Sequence, residues 1–331
     1  MKTFGFQWHV TSNCNIRCRH CYQNDFTDKE DLDTRTIGRI VDTLGSTLQD
    51  RLISVNLTGG EPFLRNDFFD ILEMLSGRKN VQELYIITNG TVIDQKVIDR
   101  LKVCEKLEGI KISLEGSTPE INARIRNNET FQDVLVTVER LMAHSLPVLL
   151  MFTLGSYNYQ DVLGMLELAK RLQVSGAILE RFIPLGRGAG MADQYLKNTE
   201  WLKIITNCIN FLDLGISPYD FLTYRALWVD FKDEISVRGA QCNLGDESMA
   251  LMPNGDVYPC RRLPVVIGNV VRDDFQAILD RLRAYRAAFD RTLNGLCADC
   301  VVTGCIGCRA LVYAMTGDIR SGDPQCYRDL L

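Results

Sequence analysis

Three cysteines near the amino end, Cys14, Cys18 and Cys21, lie in a C-x3-C-x2-C run between Val10 and Gln23. Thiolates this close can converge on one metal centre. A structural zinc site and a plain electron-transfer [4Fe–4S] cluster each take four protein ligands. Three cysteines on a [4Fe–4S] cluster leave one iron without a protein ligand, and an open coordination position is where metal centres do chemistry. A zinc loop and a chance grouping are the alternatives that these residues alone leave open.

Seven more cysteines follow late in the chain: Cys242, Cys260, the run Cys297-x2-Cys300-x4-Cys305-x2-Cys308, and Cys326. Disulfides are rare in reducing cytosol, where clustered cysteines usually bind metal. A pair of structural zincs is one reading, because C-x2-C pairs are common zinc ligands. Cys104 and Cys208 stand alone in helix-like segments and are expected to be small buried apolar residues.

The triplet with the aromatic Tyr22 behind it resembles the signature of the radical S-adenosylmethionine (SAM) enzymes. Gly59-Gly60-Glu61-Pro62 resembles that family's GGEP motif. The resemblance implies that the open iron binds the amino and carboxylate groups of SAM. Reduction then gives methionine and a 5′-deoxyadenosyl radical, which takes a hydrogen atom from substrate. It places SAM beside Tyr22, Gly59, Gly60, Glu61, Pro62, Asn89, Ser113 and Arg126. The GGEP motif meets the methionine amino group, and the strand ends at Thr88-Asn89-Gly90 and Ser113-Leu114-Glu115-Gly116 meet ribose and carboxylate. Ser113 and Arg126 match the positions that hold the carboxylate, which a guanidinium can grip through two donors. Arg124 is a near neighbour, and a solvated surface cation is the plain alternative for Arg126. His9, His20 and His144 are the only histidines; none is assigned a catalytic role, and no acid or base is nominated.

The later cysteines resemble the SPASM extension of the same enzymes, which holds two auxiliary [4Fe–4S] clusters. Matching by order, Cys242, Cys260 and Cys308 hold the nearer cluster, and Cys297, Cys300, Cys305 and Cys326 the outer one. The last two gaps of the four-cysteine run are four and two residues, where the family commonly has five and three. With the triplet, three clusters are implied. The nearer one lacks a fourth cysteine; a side chain of Asp246-Glu247-Ser248, substrate or solvent completes it.

These groups need a scaffold. Strands are expected over Phe4–Thr11, Leu52–Thr58, Leu84–Thr88, Gly109–Leu114, Pro147–Thr153 and Gly176–Phe182, with helices over Asp33–Gln49, Asn66–Ser76, Asp94–Val103, Thr130–His144 and Tyr159–Leu172 between and beyond them. Six strand–helix alternations imply an α/β fold, a partial (β/α)6 TIM-like barrel on a parallel sheet, with function at the strand C-termini. The expected domains are a barrel over 1–190, a helical bridge over 191–240 and a SPASM domain over 241–331 with a β-hairpin and helices. The hairpin turn is Pro253-Asn254-Gly255-Asp256. The glycine-rich Pro184–Gly190 is either a loop near substrate or an ordinary turn. The aromatic stretch Ser217–Arg238 is expected to pack on the barrel, the alternative being that it lines a substrate cleft.

With 331 residues, 46% of them hydrophobic, a large core is available. The net charge of −5, without a basic block, argues against nucleic acid. No apolar run reaches the roughly 18 residues that span a bilayer, and no signal peptide opens the chain, so a cytoplasmic protein is expected. The resemblance implies a peptide maturase forming thioether or carbon–carbon crosslinks or oxidising a side chain. It would be served by a flavodoxin- or ferredoxin-type electron donor. Such maturases often carry a peptide-recognition domain, which a triplet starting at residue 14 leaves no room for; this weakens the peptide reading or implies a separate recognition protein. Alternatives are a small-molecule enzyme resembling the decarboxylases of haem synthesis, and a non-catalytic iron–sulfur or zinc scaffold. No space remains for the cobalamin domain of a methylase.

Overall fold

The computed structural model describes residues 3–126, 130–232, 235–242, 244–245, 247–289 and 292–331. Six parallel strands follow one another across the sheet: β1 (Thr3–Thr11), β2 (Leu52–Gly59), β3 (Val81–Thr88), β4 (Leu107–Ser113), β5 (Val148–Leu154) and β6 (Gly176–Arg181). The crossovers carry α1 (Thr34–Thr47), α2 (Phe68–Ser76), α3 (Gln95–Leu101), α4 (Pro119–Ala123), α5 (Thr130–Ala143) and α6 (Val162–Arg171). Their apolar stripes close one core: Ile37, Val41 and Leu44 of α1, Val134 and Val138 of α5, and Leu166 of α6 are buried with Phe4, Val55, Leu84, Ile110 and Leu150 of the strands. Asp33 and Asp94 cap α1 and α3, accepting bonds from Thr36 N at 2.7 Å and Val97 N at 2.9 Å.

Several expectations need correction. α2 starts at Phe68, two residues later than expected. Asp67 precedes that helix, and its carboxylate goes to Arg65, whose Nη1 holds Val10 O at the end of β1 at 2.7 Å. Cys104 lies in the loop between α3 and β4, whereas Cys208 is buried within the next helix, α7 (Asn198–Phe211). The stretch after α7 is not helical throughout. It forms β7 (Tyr224–Asp230), antiparallel to β6, and β8 (Ser236–Gln241), antiparallel to β7. At the other edge β9 (Ser248–Leu251) pairs parallel with β1, and β10 (Asp256–Tyr258) and β11 (Gly268–Asn269) follow it antiparallel. The turn from β9 to β10 has Gly255 at φ +86°, a conformation that suits glycine. Then come α8 (Phe275–Ala287) and α9 (Arg309–Thr316). Among the described residues no helix is long and apolar enough to cross a membrane.

Side chains from distant strands show that the sheet curls. Lys111 of β4 donates to Asn56 Oδ1 of β2 at 2.5 Å, and its Nζ lies 4.6 Å from the Trp228 ring of β7. Adjacent strands lie about 4.8 Å apart, so β2 and β7 would be too far apart in a flat sheet to share one amine. The amine also sits 4.0 Å from the Tyr85 ring. Burial pushes its pKa down to about 7. The folded protein therefore releases this proton near pH 7, while the unfolded chain keeps it until about 10.4. Between these values the unfolded state holds more protons, so stability rises with pH. We expect the Lys111→Met variant to lack this rise: the wild-type minus variant unfolding free energy should climb by up to about 4 kcal/mol from pH 7 to 10. Parallel urea-denaturation profiles across that range would contradict it.

Candidate active site

The triplet leaves β1 where β2 ends, and the two ends touch backbone to backbone. Gly60 N donates to Thr11 O at 2.8 Å, and Glu61 N to Asn13 O at 2.7 Å. A side chain fits neither glycine: a Cβ on Gly59 or on Gly60 would lie 2.1 Å from a carbonyl oxygen, and Gly59 has φ +140°. The fully buried Glu61 then ties in β3. Its carboxylate accepts bonds from Thr88 Oγ1 at 2.9 Å, Asn89 N at 2.8 Å and Phe63 N at 3.2 Å. Burial pushes this carboxyl up to about 7, against the pull of its donors.

Asn89 faces the triplet, donating to Asn15 Oδ1 at 2.8 Å with its Nδ2 3.8 Å from Cys14 Sγ. Arg126 is buried, not a surface cation. Its Nη2 holds Asn89 O at 2.8 Å, its Nη1 holds Ser113 O, and its Nε has no partner. It thus clamps the ends of β3 and β4. His20 Nε2 lies 3.1 Å from Glu115 Oε1, while Glu115 Oε2 accepts from Thr153 N at 2.8 Å. The glycine-rich loop braces the triplet from behind: Gly188 N donates to Cys21 O at 2.9 Å, and a Cβ on Gly186 would strike the Tyr22 carbonyl.

Cys14, Cys18 and Cys21 all open into one cleft of about 900 Å³, with Tyr22, Gly59, Gly60, Asn89, Ser113 and Arg126 on its walls. The Glu61 carboxylate is absorbed in the frame and Pro62 opens a 3₁₀ turn, so the glycine backbone is what this motif presents to the cleft. Burial raises all three thiols, Cys18 to about 12. Buried thiols of this kind become thiolates when a metal centre supplies the positive charge. The free-cysteine donor set therefore fits a [4Fe–4S] cluster.

Sequence reasoning missed the far wall. Glu180 at the end of β6 pairs with Arg261 at 2.5 Å and lies 3.6 Å from Arg262. Burial works against its charge, yet the two guanidiniums and Lys111 hold the Glu180 carboxyl below its ordinary value. Arg261 also lies over the Tyr22 ring, which meets His9 edge-on. His9 is buried with neither ring nitrogen partnered, and burial lowers its pKa to about 3. The two arginines directly follow Cys260, the only signal available beforehand.

Glu180, Ile183, Arg261 and Arg262 also line a second hollow, of about 1020 Å³, onto which Cys242, Cys260 and Cys308 open. Cys297, Cys300, Cys305 and Cys326 do not line it. Cys297 and Cys326 are near enough to interact electrostatically. Of the segment named for the missing ligand, Asp246 lies outside the described residues, and Ser248 lines the second hollow.

The family model of the radical SAM superfamily matches residues 8–169, and that of the SPASM iron–sulfur cluster-binding domain matches 242–301. The AdoMet-dependent heme synthase of Methanosarcina barkeri is 27% identical over 337 residues, covering 96% of this chain and 95% of that protein. The mycofactocin maturase MftC of Mycolicibacterium smegmatis is 26% identical, covering 96% and 81%. Streptococcus suis SuiB bound to S-adenosylmethionine shares the fold, with a TM-score of 0.73 at 15% identity over 98% of this chain and 77% of that one.

Two glycines test the contact between β1 and β2. Gly59→Ala should cost about 3 kcal/mol and lower the iron retained by the amino-terminal site. Gly5→Ala, with nothing within 4 Å of its added Cβ, should change stability by less than about 0.5 kcal/mol. Equal urea midpoints for the two variants would contradict this geometry.

Proposed function

We propose that this chain, a radical SAM enzyme with a C-terminal SPASM domain, modifies a ribosomally made peptide by crosslinking it or oxidising a side chain. Its cofactors are SAM and [4Fe–4S] clusters, auxiliary ones included. Bound together, SAM and the triplet's cluster supply a 5′-deoxyadenosyl radical able to take hydrogen from an unactivated carbon. The protein's part is to hold the reactants in line and keep water out. In this reading Gly59 and Gly60 let the backbone approach the methionine end of SAM, with Glu61 and Pro62 fixing their turn. Asn89 and Ser113 present the strand ends, Arg126 holds those ends in place, and Tyr22 carries the Arg261 wall. We assign Cys14, Cys18 and Cys21 to the SAM-binding cluster. Cys242, Cys260 and Cys308 go to the nearer auxiliary cluster, and Cys297, Cys300, Cys305 and Cys326 to the outer one.

The observation that carries the reading is the wall shared by the two hollows. A substrate lying along Glu180, Arg261 and Arg262 has the radical source on one side and Cys242, Cys260 and Cys308 on the other. Loss of a hydrogen atom toward the first site and an electron toward the second, with a proton released to water, would amount to a two-electron oxidation of the substrate. Peptide chemistry is supported by the maturase relative MftC. The partners in this reading are a precursor peptide and a flavodoxin- or ferredoxin-type reductant, in the cytoplasm. A second reading, oxidation of a carboxylate-bearing small molecule, is favoured by the near full-length match to the heme synthase of M. barkeri and by the two arginines on the wall.

Anaerobic, iron-replete protein given SAM and dithionite should release 5′-deoxyadenosine, and Cys18→Ala should reduce this to background. A peptide encoded beside its gene should raise the yield and lose hydrogens but no carbon. Release of carbon dioxide from a propionate-bearing tetrapyrrole would support the second reading instead. No 5′-deoxyadenosine at full iron loading would reject both and leave a scaffold.

A further inference from the structure

We infer that Arg225, with Arg309 and Arg328, sets the reduction potential of the outer auxiliary cluster and makes it the end of the protein where an electron comes to rest. The inference rests on the ligand assignment above. Its basis is arginine contacts to two of the four sulfurs assigned to that cluster, with a third arginine charge beside another. Arg225 Nη2 donates to Cys305 Sγ at 2.8 Å. Arg309 Nη2 lies 3.8 Å from Cys297 Sγ, and Arg328 is near enough to the Cys300 thiol for their charges to interact. Cys297 Sγ also accepts from Asp323 N at 3.4 Å.

The guanidiniums do not need the sulfurs to hold them in place. Arg309 is fully buried, with Nη1 on the carbonyls of Ile319 and Ser321, both at 2.8 Å. Arg225 Nη1 is on Leu222 O at 3.1 Å, and Arg328 Nε is on Asp329 at 2.9 Å. The other two sites differ. Among the described residues no arginine side chain donates a hydrogen bond to the sulfurs of Cys242, Cys260 or Cys308; the guanidiniums of Arg225, Arg261 and Arg262 act on that site only as neighbouring charges. At the amino-terminal site the sulfurs meet neutral amides: Asn89 Nδ2 near Cys14 and Gln23 N at Cys21.

Reduction adds one negative charge to a cluster that four thiolates already make anionic. A fixed cation at hydrogen-bond distance favours that extra charge, and charge and hydrogen bonds at the sulfurs are recognised levers on cluster potential. Arginine stays protonated, so one electron enters and no proton accompanies it. The outer cluster should therefore have the highest potential of the three, and its potential should not vary with pH. Asp323 links the two auxiliary sites: its Oδ2 accepts from Cys308 N at 2.7 Å while its own N–H points at Cys297. An electron leaving substrate at the nearer site then has a short bonded route outward.

The test is an EPR-monitored redox titration of the holoprotein and its variants between pH 6.5 and 9. In Arg225→Met the reduced-to-oxidised ratio of the outer cluster at a fixed potential should fall at least tenfold, about 59 mV for one electron. Arg225→Lys should fall less, and the amino-terminal cluster should not move. Arg328→Met, at a half-exposed position, should shift the outer cluster the same way, and it carries the test should Arg225→Met lose iron. Unchanged potentials at full iron loading, or equal shifts at the amino-terminal cluster, would overturn the inference. So would a wild-type potential that varies with pH, or iron for the amino-terminal cluster alone. These potentials are readable even in a protein that cleaves no SAM, so this inference and the proposed function fail separately.

Discussion

A close backbone approach governs this molecule. Where β1 and β2 end, the N–H groups of Gly60 and Glu61 reach the carbonyls of Thr11 and Asn13. Only chain without a Cβ comes that near, and Gly59 also needs a positive φ. The contact fixes the base of the cysteine loop against the rim of the sheet. The buried carboxylate of Glu61 extends the lock to β3, and Arg126 extends it from β3 to β4. Four strand ends thus become one rigid support beneath three sulfurs. Such support matters because reactive groups must be held closely to be productive.

The carboxyl-terminal region is joined to this support through the sheet itself. β9 pairs with β1, and β7 pairs with β6, so both edges of the parallel run continue into strands that flank the later cysteines. Curling of the sheet brings residues from its two edges face to face. Arg261, just beyond β10, meets Glu180 of β6 across the opening. A buried ion pair of this kind contributes little net stability but does fix relative position. Here it divides two hollows that each carry a set of cysteines.

Much of this was legible in the chain. The six strands and the longer helices between them follow from periodicity, with the third strand starting earlier than expected, at Val81, and the short α4 not foreseen. The cysteine spacings announced metal chemistry. What stayed hidden depends on long-range pairing. Tyr224–Asp230 reads as a mixed aromatic stretch because both faces of β7 meet protein, Leu227 and Val229 in the main core and Trp228 beside Lys111 in the interior, blurring the alternation. Lys111 looks like an outward-facing residue in an alternating strand, yet in a barrel both faces are enclosed. Glu61 has the chemistry to meet an ammonium, and only the fold shows its oxygens already engaged. Glu180 and Arg261 are 81 residues apart, and no local pattern joins them.

The central claim is an iron at the amino-terminal triplet with a position free for SAM. The most direct measurement is the EPR spectrum of the dithionite-reduced protein, with Cys242, Cys260, Cys297, Cys300, Cys305, Cys308 and Cys326 replaced by alanine so that only the amino-terminal cluster contributes. Adding SAM should shift the g-values of that signal saturably, with one equivalent per chain. A spectrum that SAM leaves unchanged, in protein holding a full [4Fe–4S] cluster, would contradict the claim.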